Sequence, residues 1–175
     1  MGSLRKTDKV KLIVGLIASS KELLEQAIKS LARAYGATDF ISGILPFDQT
    51  DYYEKEMGQG LQRQFVSFAK LIGPEKLPAI KIATNKMEWK LSGHRTRRKI
   101  NLDPGYLNFG KLVLATTKDH QHRLYLGKDI FGEVTLKFTN GTFQPWTWTY
   151  PDYASQAYIN IFNHIRQMYQ QQIRN

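Results

Sequence analysis

Residues 100–126, INLDPGYLNFGKLVLATTKDHQHRLYL, decide how the rest of the chain is read. The segment packs Asp103, Lys111, Lys118, Asp119, His120, His122 and Arg123 between two apolar runs. Ile100 to Leu102 reads as the end of a short strand, and Asp103-Pro104-Gly105 as a turn. In that turn Pro sets φ, Gly tolerates positive φ, and Asp can cap the turn or the helix after it. Leu107, Lys111, Leu112, Leu114 and Ala115 fall at helical spacing, and His122 to Leu126 reads as a strand again.

Working outward, Lys9 to Ala18 alternates and then turns wholly apolar, the pattern of a central strand. Ser19 or Ser20 offers an N-cap for a helix carrying Leu23, Leu24, Ala27, Ile28, Leu31 and Ala34, with Gly36 as its stop. Asp39 to Phe47 reads as a second strand and Leu61 to Ile72 as a third, rich in aromatics. Gly73-Pro74 opens a second helix with Leu77, Ile80, Ala83 and Met87 on one face. Strand–helix–strand–strand–helix–strand is the split βαβ order of ferredoxin-like folds. Beyond it, Thr139-Asn140-Gly141-Thr142 is a strong hairpin signal, and an amphipathic helix runs from about Ser155. The expectation is one α+β domain over residues 1–175, a ferredoxin-like βαββαβ sheet extended by a β-hairpin and a C-terminal helix.

The chain has 175 residues, 42% hydrophobic and 23% charged, the make-up of an ordinary globule with room for a core. It has no cysteine, which excludes disulfides, thiolate zinc sites and cysteine nucleophiles. The opening MGSLRKTDKVKL is polar and charged, so no signal peptide is expected, and no apolar run suits a membrane span. A cytoplasmic setting without membrane contact is expected. The formal net charge of +10 adds weight to a polyanionic partner, whether nucleic acid, nucleotide or phosphorylated metabolite, although charge alone favours a solvated basic surface. Arg95, Arg97, Arg98 and Lys99 form the dense basic run, and a nucleic acid could be tracked through it.

No GxxxxGK[ST] and no GxGxxG after a strand occurs, which removes the P-loop and the simple dinucleotide fingerprint. His94-Arg95-Thr96 is a single His-x-Thr, and a two-histidine mechanism needs a second copy. His120 and His122, two apart, would share one strand face, with Arg123 on the other. One of them could coordinate a metal with Asp119 or with a distant carboxylate such as Asp48, Asp51 or Glu133, or the pair could mark a strand entry with one histidine solvated and the other hydrogen-bonded to a loop. The leading arrangement has Asp103 and His122 as catalytic groups, and Lys118, His120, Arg123, Tyr52 and Lys111 as ligand contacts. Asp48 and Asp51 would hold a divalent metal through oxygen. The partner would be a phosphorylated small molecule or nucleotide, and any reaction a metal-assisted phosphoryl transfer or hydrolysis. A nucleic-acid module and a protein–protein adaptor are the alternatives.

Several strings add a resemblance. Phe47-Asp48, Thr50 to Glu54, Glu56-Met57-Gly58, Asn101 to Leu107, Lys111 to Asp119, His122-Arg123, Tyr125-Leu126 and Trp148 to Tyr153 resemble an uncharacterised bacterial domain-of-unknown-function family, number 4416. Its members often carry the label GTP-binding protein. The family supplies no catalytic residues to transfer. Its label implies nucleotide binding, which without a P-loop would have to use an unrelated site.

Overall fold

The computed structural model describes residues 2–3, 7–48, 50, 53–94 and 97–174. β1 (Lys11–Ala18) is buried along its whole length, as its apolar run requires. α1 (Lys21–Tyr35) follows, its first turn capped by Ser20, whose hydroxyl accepts from the Leu23 N–H. The expected second strand is broken into β2 (Thr38–Ile41) and β3 (Leu45–Pro46), both laid on β4 (Gln62–Phe68). Between them the one-turn helix α2 (Glu54–Met57) drops Met57 onto Ile17, Phe47 and Leu61. A 3-10 turn at Pro74–Lys76 leads into α3 (Leu77–Ser92).

The second half departs from the periodicity argument. Asp103-Pro104-Gly105 is not a turn but lies inside β5 (Ile100–Leu107). The stretch expected as a helix, Leu107 to Ala115, is the end of β5, a tight connection at Asn108–Gly110, and the strand β6 (Lys111–Thr116). Side-chain spacing that fits a helix was overridden because Leu107 and Leu112 meet across the turn, both fully buried. β7 (Leu124–Gly127), β8 (Ile130–Thr139) and β9 (Thr142–Pro145) follow, the last two joined by Asn140 and Gly141, both at positive φ as the hairpin demands. α4 (Gln156–Arg174) closes the described chain.

All nine strands of the described residues form one antiparallel sheet, in the order β2-β4-β1-β5-β6-β8-β7, with β3 also on β4 and β9 also on β8. The protein is thus a mixed α/β structure dominated by a large antiparallel sheet with a C-terminal helix. Because side chains alternate across a strand, β1 feeds two cores. Leu12, Val14 and Leu16 face α1 and α3 with Leu24, Leu31, Val66 and Ile80, while Ile13 faces α4 with Phe65, Leu107, Leu112, Phe162 and Ile165. Among the described residues no helix is long and apolar enough to cross a membrane.

The sheet is nearly two sheets. β5 pairs with β1 over all eight residues, but with β6 only over Gly105–Leu107 and Leu112–Leu114. Gly105 permits that contact: a Cβ there would run into the Val113 carbonyl and approach the Leu114 side chain to 2.7 Å. Gly105→Ala should therefore cost about 1–3 kcal/mol of unfolding free energy, by overpacking. Gly110→Ala, where a Cβ meets nothing within 4 Å, serves as the control. Equal urea midpoints for the two variants would refute this account of the joint.

Candidate functional site

Where β5 and β6 part, a cleft of about 720 Å³ opens. Backbone groups alternate sides along an antiparallel strand, so Leu102, Pro104 and Tyr106 all turn theirs toward β6. Pro104 has no N–H to give, and the ladder stops there. One step further, α3 replaces the lost strand. Leu102 donates its N–H to Glu88 Oε1 at 2.6 Å, and its carbonyl accepts from Lys81 Nζ at 3.0 Å. Lys81, Thr84 and Glu88 are one buried polar stripe at helical spacing, of which Lys81 and Glu88 line the cleft while the Thr84 hydroxyl donates to the Lys81 carbonyl.

Charged groups line this cleft in clusters that are each close to neutral. At its deep end the Arg63 guanidinium lies 3.0 Å from Asp152 and 3.5 Å from Asp103, and Lys81 lies 3.7 Å from Asp103. Asn101 donates to Asp103 at 2.7 Å. Four rings (Phe47, Phe65, Tyr153 and Tyr158) surround the Arg63 guanidinium at 5.0–5.9 Å, an apolar jacket that a charge accepts only with its carboxylates in place. Beside it, Arg98 grips Glu56 through Nε at 2.9 Å and Nη2 at 2.8 Å, and reaches Asn101 at 3.1 Å and Glu88 at 3.4 Å. That two-pronged bond holds the Glu56 carboxyl below its ordinary range, whereas burial pushes Glu88 above it against the pull of Lys81 and Arg98.

On the β8 side, Glu133 Oε2 takes both Arg123 Nε at 2.9 Å and His122 Nε2 at 3.0 Å. Arg123 also donates to the Lys118 carbonyl at 3.1 Å and to Tyr150. His122 sits in a run of parallel rings, 6.0 Å from His120 and 5.6 Å from Trp148, which itself stacks on Trp146 at 5.0 Å. His122 and Arg123 were expected on opposite strand faces. They converge because β7 starts only at Leu124, so alternation does not yet apply to them.

The expected site residues thus separate. Asp103, Lys118 and Arg123 line the cleft, and His122 stands behind Arg123 on the shared Glu133. His120 is exposed at the outer end of the ring stack. Lys111 lies at the opposite end of β6, by a smaller hollow with Asp8 and Tyr169. Asp48 is exposed between Phe47 and Thr50, which line the cleft, whereas Asp51, Tyr52 and Arg95 lie outside the described residues. Among the described residues, no three His, Asp or Glu side chains come together to hold a metal. The basic run is divided: Arg98 turns inward while Arg97 and Lys99 stay exposed.

Sequence reasoning passed over Arg63, Lys81, Glu88, Asn101 and Asp152. Arg63 left a signal, a charge between Leu61 and Phe65 on the buried face of a strand. The others look like any solvated polar residues. Of the four carboxylates lining the cleft, Asp103 is the most open to solvent, at 23% against 9% for Asp152 and 3% for Glu88 and Glu133. It is the carboxylate best placed to meet a bound molecule.

A pH series tests the electrostatics. Since folding raises the Glu88 pKa above its ordinary 4.5, its ionisation opposes folding: that cost is absent below 4.5 and grows as pH rises through the raised value. Glu88→Gln keeps an acceptor for the Leu102 N–H but lacks this titration. Wild type should gain stability relative to Glu88→Gln as pH falls from 7 toward 4, and parallel stability curves would contradict it.

No curated protein and no solved structure matches the chain. A family model does, over residues 8–169, which takes in every described strand and the cleft: the chain belongs to the family of the domain of unknown function DUF4416.

Proposed function

We propose that this protein binds a phosphorylated small molecule, of sugar-phosphate to nucleotide size, in the cleft between β5 and β6. The observation that carries the reading is the convergence of Arg63, Lys81, Arg98, Lys118 and Arg123 with Glu88, Asp103, Glu133 and Asp152 on one cavity of ligand size. Removing such charges from water costs several kcal/mol each. Charges assembled at a cavity rather than scattered on the surface are the mark of a working site.

In this reading the phosphate lies toward Lys118 and Arg123, and the rest of the ligand toward Asp103. If a bond is broken, Asp103 accepts the proton, and His122 tunes Arg123 through Glu133. A divalent ion, for which Asp48 and Asp51 are the proposed ligands, would serve as counter-ion to the phosphate. The strand order β2-β4-β1-β5 supports a ferredoxin-like assignment for the first half. A cytoplasmic setting belongs to the same proposal.

The test is a thermal-shift screen of sugar phosphates and nucleotides, with and without Mg²⁺, at low and physiological salt. A true ligand at a hundredfold over its Kd adds about 2.7 kcal/mol, or roughly 5–10 °C for a chain of this size. The shift should shrink in Asp103→Asn and in the exposed Lys118→Ala. No shift with any phosphorylated compound, together with retention of an RNA pool that salt releases, would replace this reading by the nucleic-acid one.

A further inference from the structure

The deep end of the cleft contains two polar groups that are buried and unsatisfied. Arg63 Nε and the Tyr153 hydroxyl each have no hydrogen-bond partner among the described residues, and both residues are at least 97% buried. Burial keeps the Tyr153 phenol far above its ordinary pKa, so it remains an O–H. Both residues line the cleft. Gly15, on β1 beneath them, is what lets them lie there: a Cβ at that position would stand 2.9 Å from Arg63 Nη1 and 3.2 Å from the Tyr153 oxygen. Natural proteins leave few buried polar groups unpaired, because each costs about 1–3 kcal/mol.

The local charge limits what these donors can meet. Arg63 and Lys81 are matched by Asp103 and Asp152, so the deep end has no surplus positive charge for a phosphate, and two carboxylates would oppose one. It offers instead two donors, the Tyr153 oxygen as acceptor, and the more open Asp103 carboxylate. Neighbouring hydroxyls, each able to donate and accept, complement that set, and Phe47 and Tyr53 in the wall suit the apolar face of a ring or chain.

Resting on the cleft reading above, we propose that the deep end is a polyol subsite. Arg63 and Tyr153 donate to hydroxyl oxygens of the ligand and Asp103 accepts from its hydroxyls, so the substrate class is a phosphorylated sugar or polyol, bound hydroxyls first with its phosphate outward.

Calorimetric binding of glycerol 3-phosphate, ribose 5-phosphate and glucose 6-phosphate, set against propyl phosphate, tests it. At least one hydroxylated ester should bind about tenfold or more tighter than propyl phosphate, the worth of two good hydrogen bonds. In Tyr153→Phe that preference should fall to roughly threefold or less. The melting temperature of ligand-free Tyr153→Phe should hold or rise, because an unpaired hydroxyl is removed from the interior. If propyl phosphate binds as tightly as all three, the subsite is overturned while the cleft reading stands. A preference retained in Tyr153→Phe likewise overturns it. If no phosphate ester binds the wild type, both fall together.

Discussion

One missing hydrogen bond organises this protein. Pro104 occupies a ladder position of β5 whose N–H would point at β6, and it has none to offer. Beside it, Gly105 lets the two backbones come together closely enough to keep the sheet joined. Proline and glycine in succession therefore set a joint and an opening next to each other. A sheet fully paired there would have no interior cleft, and one lacking the three-residue joint would fall into two.

An edge opened inside a sheet exposes backbone groups that must still be satisfied. α3 meets that need with Lys81 and Glu88 on Leu102, at the cost of bringing two charges indoors. Each buried charge then requires a partner: Lys81 finds Asp103, Asp103 finds Arg63, Arg63 finds Asp152, and Glu88 finds Arg98. A second buried charge cluster in the molecule offers a comparison. Lys11, fully buried, is held by Asp39 and Gln172, and Asp39 takes Ser67 as well. That cluster is complete and pins α4 to β1. The cleft cluster also pairs each of its charges, but it leaves Arg63 Nε and the Tyr153 hydroxyl without a hydrogen-bond partner among the described residues.

The elements whose side chains obey a single period were legible in the sequence. β1, α1, the Asn140-Gly141 hairpin and α4 fall close to where hydrophobic spacing and turn chemistry put them. The failure is concentrated at Asp103-Pro104-Gly105 and the stretch after it. Pro and Gly ordinarily end a strand, and Leu107, Lys111, Leu112, Leu114 and Ala115 satisfy a helical template. Only the register with β1, whose Gly15 lies opposite Asp103 and whose Val14 lies opposite Pro104, makes the strand reading hold, and that register is a long-range fact. The site suffered likewise. Asp103 and Arg123 could be singled out from a titratable segment, but Lys81 and Glu88 on α3 have the spacing of any solvated helix face. What distinguishes them is the unpaired edge of β5, which no local pattern encodes.

The same geometry bears on how the cleft could respond to an occupant. The two half-sheets are bound firmly at the joined end, where Leu107 from one half and Leu112, Leu136 and Phe143 from the other pack into a single core beneath α4. Arg166 closes that end by covering Phe138 at 3.4 Å and donating to the Phe109 carbonyl. At the open end the described contacts between halves are carried by side chains and by α3, with no strand pairing. Stability in such a structure is unevenly distributed, low where backbone pairing is absent and high where it is continuous. A molecule seated in the fork, bonded to Asp103 on one side and Arg123 on the other, would supply the cross-links that Pro104 denies to the sheet. Binding and stiffening of the open end would then be the same event.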